Sequence, residues 1–355
     1  MFVDDEIRNA ALRVIDGKRY VKGPEGKEFE EKFANFTGTR YAVATNSGTS
    51  ALHVALLTLG IKKGDEVIIP SHTFVATASP LMHIGAIPVF TEIDEKTYSL
   101  DVKEVKQHIT KKTRAIIPVH LYGQPCDMDP LRELSEEHDV KILEDACQAH
   151  GAVYKDKEKV GTLGDVACFS FFPSKNMTVA GDGGMITTNN EDYALTARAL
   201  VDQGRLEGKK YEHDLAGFNY RMSELLAAIG SVQLKHLPDW IKKRRQNSLL
   251  YTELLADTDV ILPYEAEWAK HVYHLFVIRH KKRDALQKYL KDKNIGTGIH
   301  YPVPVHLQPS MKQCKSGAMP VTEKIVKEVL SLPMSPFLAR DQVEIVCNYI
   351  KEWMK

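Results

Sequence analysis

The sequence predicts an α/β protein: a large domain built on a mainly parallel sheet, then a smaller C-terminal α/β domain. Three observations predict it. β-rich runs alternate with helical patterns from about Tyr41 to Thr188, which implies βαβ units. A long helical stretch follows Ser223, and shorter strand and helix patterns come after it. The 355 residues are also too many for one small core.

The elements read in order as follows. Tyr41-Ala-Val-Ala is a strand, and Ser50-Ala-Leu-His-Val-Ala-Leu-Leu is a helix. Glu66-Val-Ile-Ile is the next strand, and Val75 to His83 reads as one helix. Pro88-Val-Phe, Ala115-Ile-Ile-Pro-Val and Val140-Lys-Ile-Leu are further strands. Asp129-Pro130 suits a helix start, with Asp as N-cap and Pro at the first helical position. Asp101 with Glu104, and Asp341 with Glu344, have capping-box spacing. The helix from Glu224 is expected to break near Pro238 and resume at Lys242, bridging the domains, which divide as 1–240 and 241–355. His274-Leu-Phe-Val-Ile-Arg is a strand of the second domain, Ala285 to Lys293 a helix, and two more helices close the chain.

Composition narrows the function. Lys plus Arg equals Asp plus Glu at 47 each, which argues against nucleic acid as a main partner. Apolar residues at 43% and charged residues at 26% suit an ordinary globular protein. The 5 cysteines, Cys126, Cys147, Cys168, Cys314 and Cys347, are odd in number, widely spaced and free of Cys-x-x-Cys pairs. They suit reduced thiols in a cytoplasmic enzyme better than a disulfide framework or a structural zinc site. The acidic N-terminus does not read as a signal peptide, and no apolar run is long enough to span a bilayer.

Four segments carry chemistry. Thr45-Asn-Ser-Gly-Thr-Ser50 lies between a strand and a helix. It reads as a phosphate cradle, with Gly48 permitting a tight backbone, or as a polar turn with a Ser or Thr cap. Glu144-Asp145-Ala-Cys-Gln148 ends a strand where open α/β sheets bind ligands. A carboxylate there either caps the next segment or keeps the ring nitrogen of pyridoxal phosphate protonated, with Gln148 on the phenolic oxygen. Cys168-Phe-Ser170-Phe-Phe-Pro-Ser-Lys175-Asn precedes Gly181-Asp-Gly-Gly184. Lys175 is a solvated loop cation, or a desolvated amine able to form a Schiff base with an aldehyde; the aromatics before it and the glycines after it favour the second. His300-Tyr-Pro-Val-Pro-Val-His306 reads as a substrate-contact segment or a loop with partly buried histidines. No carboxylate or Cys completes a metal set there, so no metal is expected.

Taken in order, these segments resemble the DegT/DnrJ/EryC1/StrS family of sugar aminotransferases over nearly the whole chain. The resemblance runs from Gly23-Pro24 and Phe29-Glu30 through Ser47-Gly-Thr-Ser-Ala-Leu, Gly64-Asp-Glu-Val-Ile and Glu144-Asp-Ala-Cys-Gln-Ala-His-Gly. It continues in Phe169-Ser-Phe with Lys175, Gly181-Asp-Gly-Gly, Gly217-Phe-Asn-Tyr-Arg-Met and His300-Tyr-Pro. Each motif alone is weak; the ordered set is specific.

The resemblance implies a fold type I, aspartate-aminotransferase-like enzyme using pyridoxal 5′-phosphate, working as a homodimer with shared active sites. It implies that Lys175 carries the cofactor and moves the proton, Asp145 pairs with the ring nitrogen, and Gln148 meets the phenolic oxygen. Ser170 and the Gly48 and Thr49 amides would hold the phosphate, and Asn219 would reach the phosphate of the neighbouring subunit's cofactor. Phe74 would stack on the ring or belong to the core. Arg221, His300 and Tyr301 are candidate substrate contacts, with a plain ion pair the alternative for Arg221. The implied substrates are L-glutamate and a nucleotide-linked keto-sugar. The Phe-Phe-Pro-Ser-Lys-Asn segment, with Gly-Asp-Gly-Gly where many relatives have Gly-Glu-Gly-Gly, leans to a 3-keto over a 4-keto sugar. A further departure is Cys147, where Ala is common in relatives. Two alternatives share the scaffold. Sugar dehydratases of this family replace the lysine with His. A non-catalytic nucleotide-sugar-binding regulator would not need Asp145, Gln148, Ser170, Lys175 and Asn219 together.

Overall fold

A computed structural model describes residues 2–206, 208, 211–314 and 316–355. Helices α1 (Asp5–Gly17) and α2 (Pro24–Thr37) lead into β1 (Tyr41–Thr45), α3 (Gly48–Thr58) and β2 (Glu66–Pro70). A 3-10 turn (Val75–Thr77), α4 (Ser79–Ile84), β3 (Ile87–Thr91), α5 (Val102–His108) and β4 (Thr113–Ile116) follow. Then come α6 (Met128–His138), β5 (Lys141–Asp145) and the short hairpin β6 (Val153–Tyr154) and β7 (Glu158–Lys159). Strands β8 (Val166–Ser170) and β9 (Gly184–Thr188) complete the main sheet, whose order is β1-β9-β8-β5-β4-β2-β3. All its pairs are parallel except those that β9 makes with β1 and β8, so the sheet is mainly parallel.

Period-2 alternation fills both faces of this sheet, as a buried parallel sheet requires. Ala42, Ile68, Ile116, Ile142 and Phe169 face one core with α2, α6 and the first half of α8 (Glu224–Leu255). Val43, Val67, Ile69, Leu143 and Cys168 face another with α3 and α7 (Glu191–Val201). The same alternation separates two adjacent acids at the end of β5. Glu144 lies on the Ile142 face and Asp145 on the Leu143 face.

Glu144 is fully buried and structural. It accepts from Gly161 N (3.0 Å), Leu163 N (2.7 Å) and Gly164 N (2.9 Å), and pairs with His120 Nε2 at 3.0 Å. His120 Nδ1 accepts from Cys126 N, so Nε2 is the donor toward Glu144. The edge strand β1 is blunted by one ion pair. Glu30 accepts from Ala44 N (2.8 Å), Arg198 donates to Ala42 O (2.8 Å), and the two meet at 2.6 Å.

A smaller unit follows α8. It includes β10 (Ala269–Lys270), which pairs with β6, then β11 (Phe276–Arg279), α9 (Arg283–Asp292), α10 (Pro320–Glu328), β12 (Val329–Leu332) and α11 (Arg340–Met354). β11 and β12 form an antiparallel pair, and Tyr251, Phe276, Leu286, Leu330 and Val346 make its core. Among the described residues, no helix is long and apolar enough to cross a membrane.

Four local expectations differ. Residues 75–83 are not one helix but the 3-10 turn and α4, because Thr77 turns its hydroxyl to Asp145 and Pro80 has no N–H to continue the ladder. α8 does not break at Pro238: it runs 32 residues without interruption. Leu234, Leu237 and Trp240 are buried around the proline, so tertiary packing overrides its helix penalty. The N-cap position of α6 belongs to Asp127, not Asp129, and its Oδ1 accepts from Tyr154 OH (2.8 Å). In α11 only half of a box forms, two residues earlier: Gln342 accepts from Ala339 N (3.0 Å), alanine has no side-chain acceptor to return the bond, and Glu344 pairs with Arg340 at 2.8 Å. Asp101 does cap α5 through Lys103 N, at 2.9 Å.

The Glu144 cluster yields a stability prediction. Glu144→Ala leaves three backbone N–H groups and a histidine N–H buried without their acceptor, so a loss of about 3 kcal/mol or more is expected in denaturant titration. A loss below about 1 kcal/mol contradicts the assignment.

Candidate active site

Strands β2, β4, β5 and β8 run parallel, so their carboxyl ends lie along one edge of the sheet, the edge at which an open α/β sheet binds its ligand. Asp145 stands at the end of β5, and Ser170 at the end of β8. Lys175 lies in the turn after Ser170 and is held through its own N–H to Phe172 O (2.8 Å).

Lys175 Nζ makes no hydrogen bond or ion pair among the described residues, although its side chain is partly buried. Burial pushes its pKa below the ordinary lysine range, and the nearby Cys147 and Asp145 oppose that shift. The surrounding histidines add no charge at neutral pH. Burial first and the Lys175 charge second lower His150 to about 3, and lower His274 and His300 as well.

Asp145 is 5% exposed. Its Oδ2 accepts from Thr77 Oγ1 (2.8 Å), which touches Thr73 Oγ1 (2.9 Å), and its Oδ1 accepts from Cys147 N (3.2 Å). The carboxylate is thereby fixed in orientation with acceptor capacity left over. Thr77 and Thr73 were not legible from sequence: nothing in Ser71-His-Thr-Phe-Val-Ala-Thr distinguishes them from ordinary turn residues.

At the β1–α3 junction, Ser47 caps the helix by accepting from Ser50 N (3.0 Å). The Gly48 and Thr49 N–H groups at the helix start have no intrahelical partner and are free for an anion. A Cβ on Gly48 would lie 2.7 Å from Ser170 Cβ and 3.1 Å from both Ser170 Oγ and Cys147 Sγ. Only glycine leaves this cradle open. Behind it, a Cβ on Gly184 would meet Ser47 O at 2.3 Å, which explains the last glycine of the Gly181-Asp-Gly-Gly184 run. An amine, a buried carboxylate and an open anion cradle beside a serine hydroxyl fit a phosphorylated pyridine aldehyde.

The remaining candidates divide. Gln148 Oε1 accepts from Tyr122 N (2.9 Å), and its Nε2 donates to Tyr301 OH (3.1 Å). Phe74 is not a core residue: it is 50% exposed, with its ring 5.4 Å from that of Tyr301. His300 and His306 do not converge. His300 Nδ1 meets Ser331 Oγ at 2.8 Å, whereas His306 Nε2 faces Glu323 at 3.5 Å. Among the described residues no group of three or more His, Cys, Asp or Glu is placed to hold a metal. Asn219 is exposed and bridges Asp202 through its backbone. Arg221 pairs with Asp202 at 2.6 Å, in a cluster that includes Arg205 (2.8 Å) and Lys22.

Residues 2–351 match the model of the DegT/DnrJ/EryC1/StrS aminotransferase family. The chain is 43% identical over 347 residues to dTDP-3-amino-3,4,6-trideoxy-alpha-D-glucose transaminase of Streptomyces venezuelae, covering 97% of this chain and 91% of that one. It is 41% identical over 348 residues to dTDP-3-amino-3,6-dideoxy-alpha-D-galactopyranose transaminase of Aneurinibacillus thermoaerophilus, covering 98% and 95%. Among solved structures, S. venezuelae DesV superposes with TM-score 0.96 at 42% identity, covering 99% and 95%. NtdA of Bacillus subtilis, with bound cofactor PMP, superposes with TM-score 0.90 at 32% identity, covering 98% and 82%. The chain belongs to this family, has its fold, and is an aminotransferase that uses pyridoxal 5′-phosphate.

Two outcomes test the site. Gly48→Ala fills the cradle, so cofactor affinity should fall at least about tenfold in an absorbance titration while the far-UV circular dichroism stays unchanged. The neutral amine is the nucleophile, so cofactor loading followed by stopped-flow absorbance should rise with pH and level off clearly below the ordinary lysine value of about 10.4. A midpoint at that value or above contradicts a desolvated Lys175.

Proposed function

We propose that this member of the family moves an amino group from L-glutamate to the C3 keto group of a nucleotide-activated sugar, with Lys175 as the catalytic residue. The observation that carries the reading is the desolvated Lys175 amine, which has no hydrogen bond or ion pair among the described residues, close to the buried, oriented Asp145 carboxylate. Bound pyridoxal phosphate supplies the electron-withdrawing pyridinium ring that stabilises charge on a carbon losing its proton.

The residues have separate tasks. Lys175 Nζ would hold the cofactor, and as general base and acid it would move the proton. Asp145 keeps the ring nitrogen protonated, and Gln148 meets the phenolic oxygen. Ser170 and the Gly48 and Thr49 N–H groups bind the phosphate, and Phe74 packs on the ring. His300 and Tyr301 contact the sugar substrate. A substrate contact from Arg221 competes with its pair to Asp202. We assign the exposed Asn219 to the cofactor phosphate of a second copy, in a homodimer with shared sites. The large unit through residue 240 then supplies the cofactor residues, and the unit from 241 supplies His300 and Tyr301. The boundary falls inside α8, so one helix ties the two units. Five unpaired cysteines suit a cytoplasmic enzyme.

The preference for a 3-keto sugar rests on the Gly181-Asp-Gly-Gly turn and on the two relatives named for 3-amino sugars. Adding L-glutamate to the cofactor-loaded protein should replace the visible band by that of the amine form. Lys175→Ala should lower turnover at least about 10⁴-fold. An undiminished rate rejects the assignment. In product assays, dTDP- and UDP-linked 3-keto sugars should be aminated faster than their 4-keto counterparts; the reverse order rejects the regiochemistry alone.

A further inference from the structure

Tyr122 closes a ring of hydrogen bonds that links Gln148 to the His300–Tyr301 segment. Its backbone N–H donates to Gln148 Oε1 (2.9 Å), and Gln148 Nε2 donates to Tyr301 OH (3.1 Å). Its phenol donates to the backbone carbonyl of His300, the residue before Tyr301. One residue therefore holds both Gln148 and the strand of chain that carries His300 and Tyr301.

A second buried group fixes the phenol. His72, 1% exposed and two residues past the end of β2, meets Tyr122 OH through Nε2 at 2.8 Å. The phenol proton is committed to His300 O, so His72 Nε2 must be the donor. Burial holds the His72 pKa down at about 3, which keeps the ring neutral and the direction of the chain fixed. Tyr98 packs edge-on to Tyr122 at 5.6 Å. Tyr122 itself holds φ at 59°, a left-handed conformation a bulky residue rarely adopts. Such strain persists where the surroundings over-determine it, often at functional sites. Here it is the conformation in which the N–H and the phenol reach two different partners.

We infer that Tyr122 is a positioning residue for the amino acceptor. With His72 behind it, Tyr122 holds the His300–Tyr301 segment against Gln148, so that the part of the site reading the sugar keeps a fixed distance from the part holding the cofactor. The inference rests on the reading of the site proposed above. Removing the Tyr122 hydroxyl leaves Lys175, Asp145 and the phosphate cradle untouched and frees the 300–301 segment. A displacement of about 1 Å in such a segment can cost about 10²-fold in rate.

The test is Tyr122→Phe in the cofactor-loaded enzyme, with two readouts. Stopped-flow absorbance should show the L-glutamate half-reaction within about twofold of wild type. KM for a dTDP-linked 3-keto sugar should rise about tenfold or more. Amide hydrogen exchange of the peptide spanning residues 298–305 should accelerate about tenfold or more, with the Lys175 peptide unchanged. Tyr301→Phe should share the acceptor phenotype, and the double variant should be little worse than either single one, because one ring of bonds is broken in each. Equal losses in both half-reactions, or unchanged exchange at 298–305, overturn the inference. A wild-type spectrum that ignores amino donors contradicts the transaminase reading instead, and the exchange measurement still decides the role of Tyr122.

Discussion

The amine of Lys175 is kept where water cannot fully solvate its charge, and the rest of the site is organised by that constraint. Burial lowers its pKa, with Asp145 and Cys147 pulling the other way. The neutral form that makes it a nucleophile is the form a stable ammonium would suppress. The sign of the cost follows. A lysine whose folded pKa lies below its unfolded value is no burden above the unfolded value, and destabilises the fold increasingly as pH falls through that value to the folded one. At neutral pH the protein therefore carries a penalty at this position, as functional sites commonly do. The neutral histidines around the lysine keep that penalty from growing.

The scaffold makes the constraint sustainable by separating two carboxylates that are neighbours in sequence. On β5, alternation sends Glu144 to one face, where it fastens residues 161–164 and His120, and sends Asp145 to the other, where it meets Thr77. The first acid gives rigidity to the strand that aims the second. Thr77 extends the same logic, because its hydroxyl holds Asp145 from the turn that interrupts what would otherwise be a regular helix. At the far edge of the sheet, the Glu30–Arg198 pair satisfies the open side of β1, the strand that leads into the Ser47–Thr49 turn.

The strands that carry the site were legible in the sequence because each is a short apolar run whose end is marked by a polar residue. Lys175, Asp145, Gly48 and Ser170 lie in local motifs whose order specified the family. What could not be read depends on partners distant in sequence. Continuity of α8 through Pro238 is decided by burial on both sides, and the cap of α6 by Tyr154, 27 residues away. Gln148 lies in a motif the sequence displays, but its hold on Tyr122 and Tyr301 spans 26 and 153 positions. His72 and Tyr122 carry no motif; only the fold brings them together. Phe74, which the sequence left between core and site, lies exposed beside Tyr301.

The most direct test of the account is to locate the cofactor on the chain. Borohydride reduction of the pyridoxal-phosphate-loaded protein, followed by proteolysis and peptide mass spectrometry, should place one pyridoxyl group on Lys175 and on no other lysine. Attachment elsewhere, or none at full cofactor saturation, would contradict the claim that the desolvated amine of Lys175 is the centre around which this site is built.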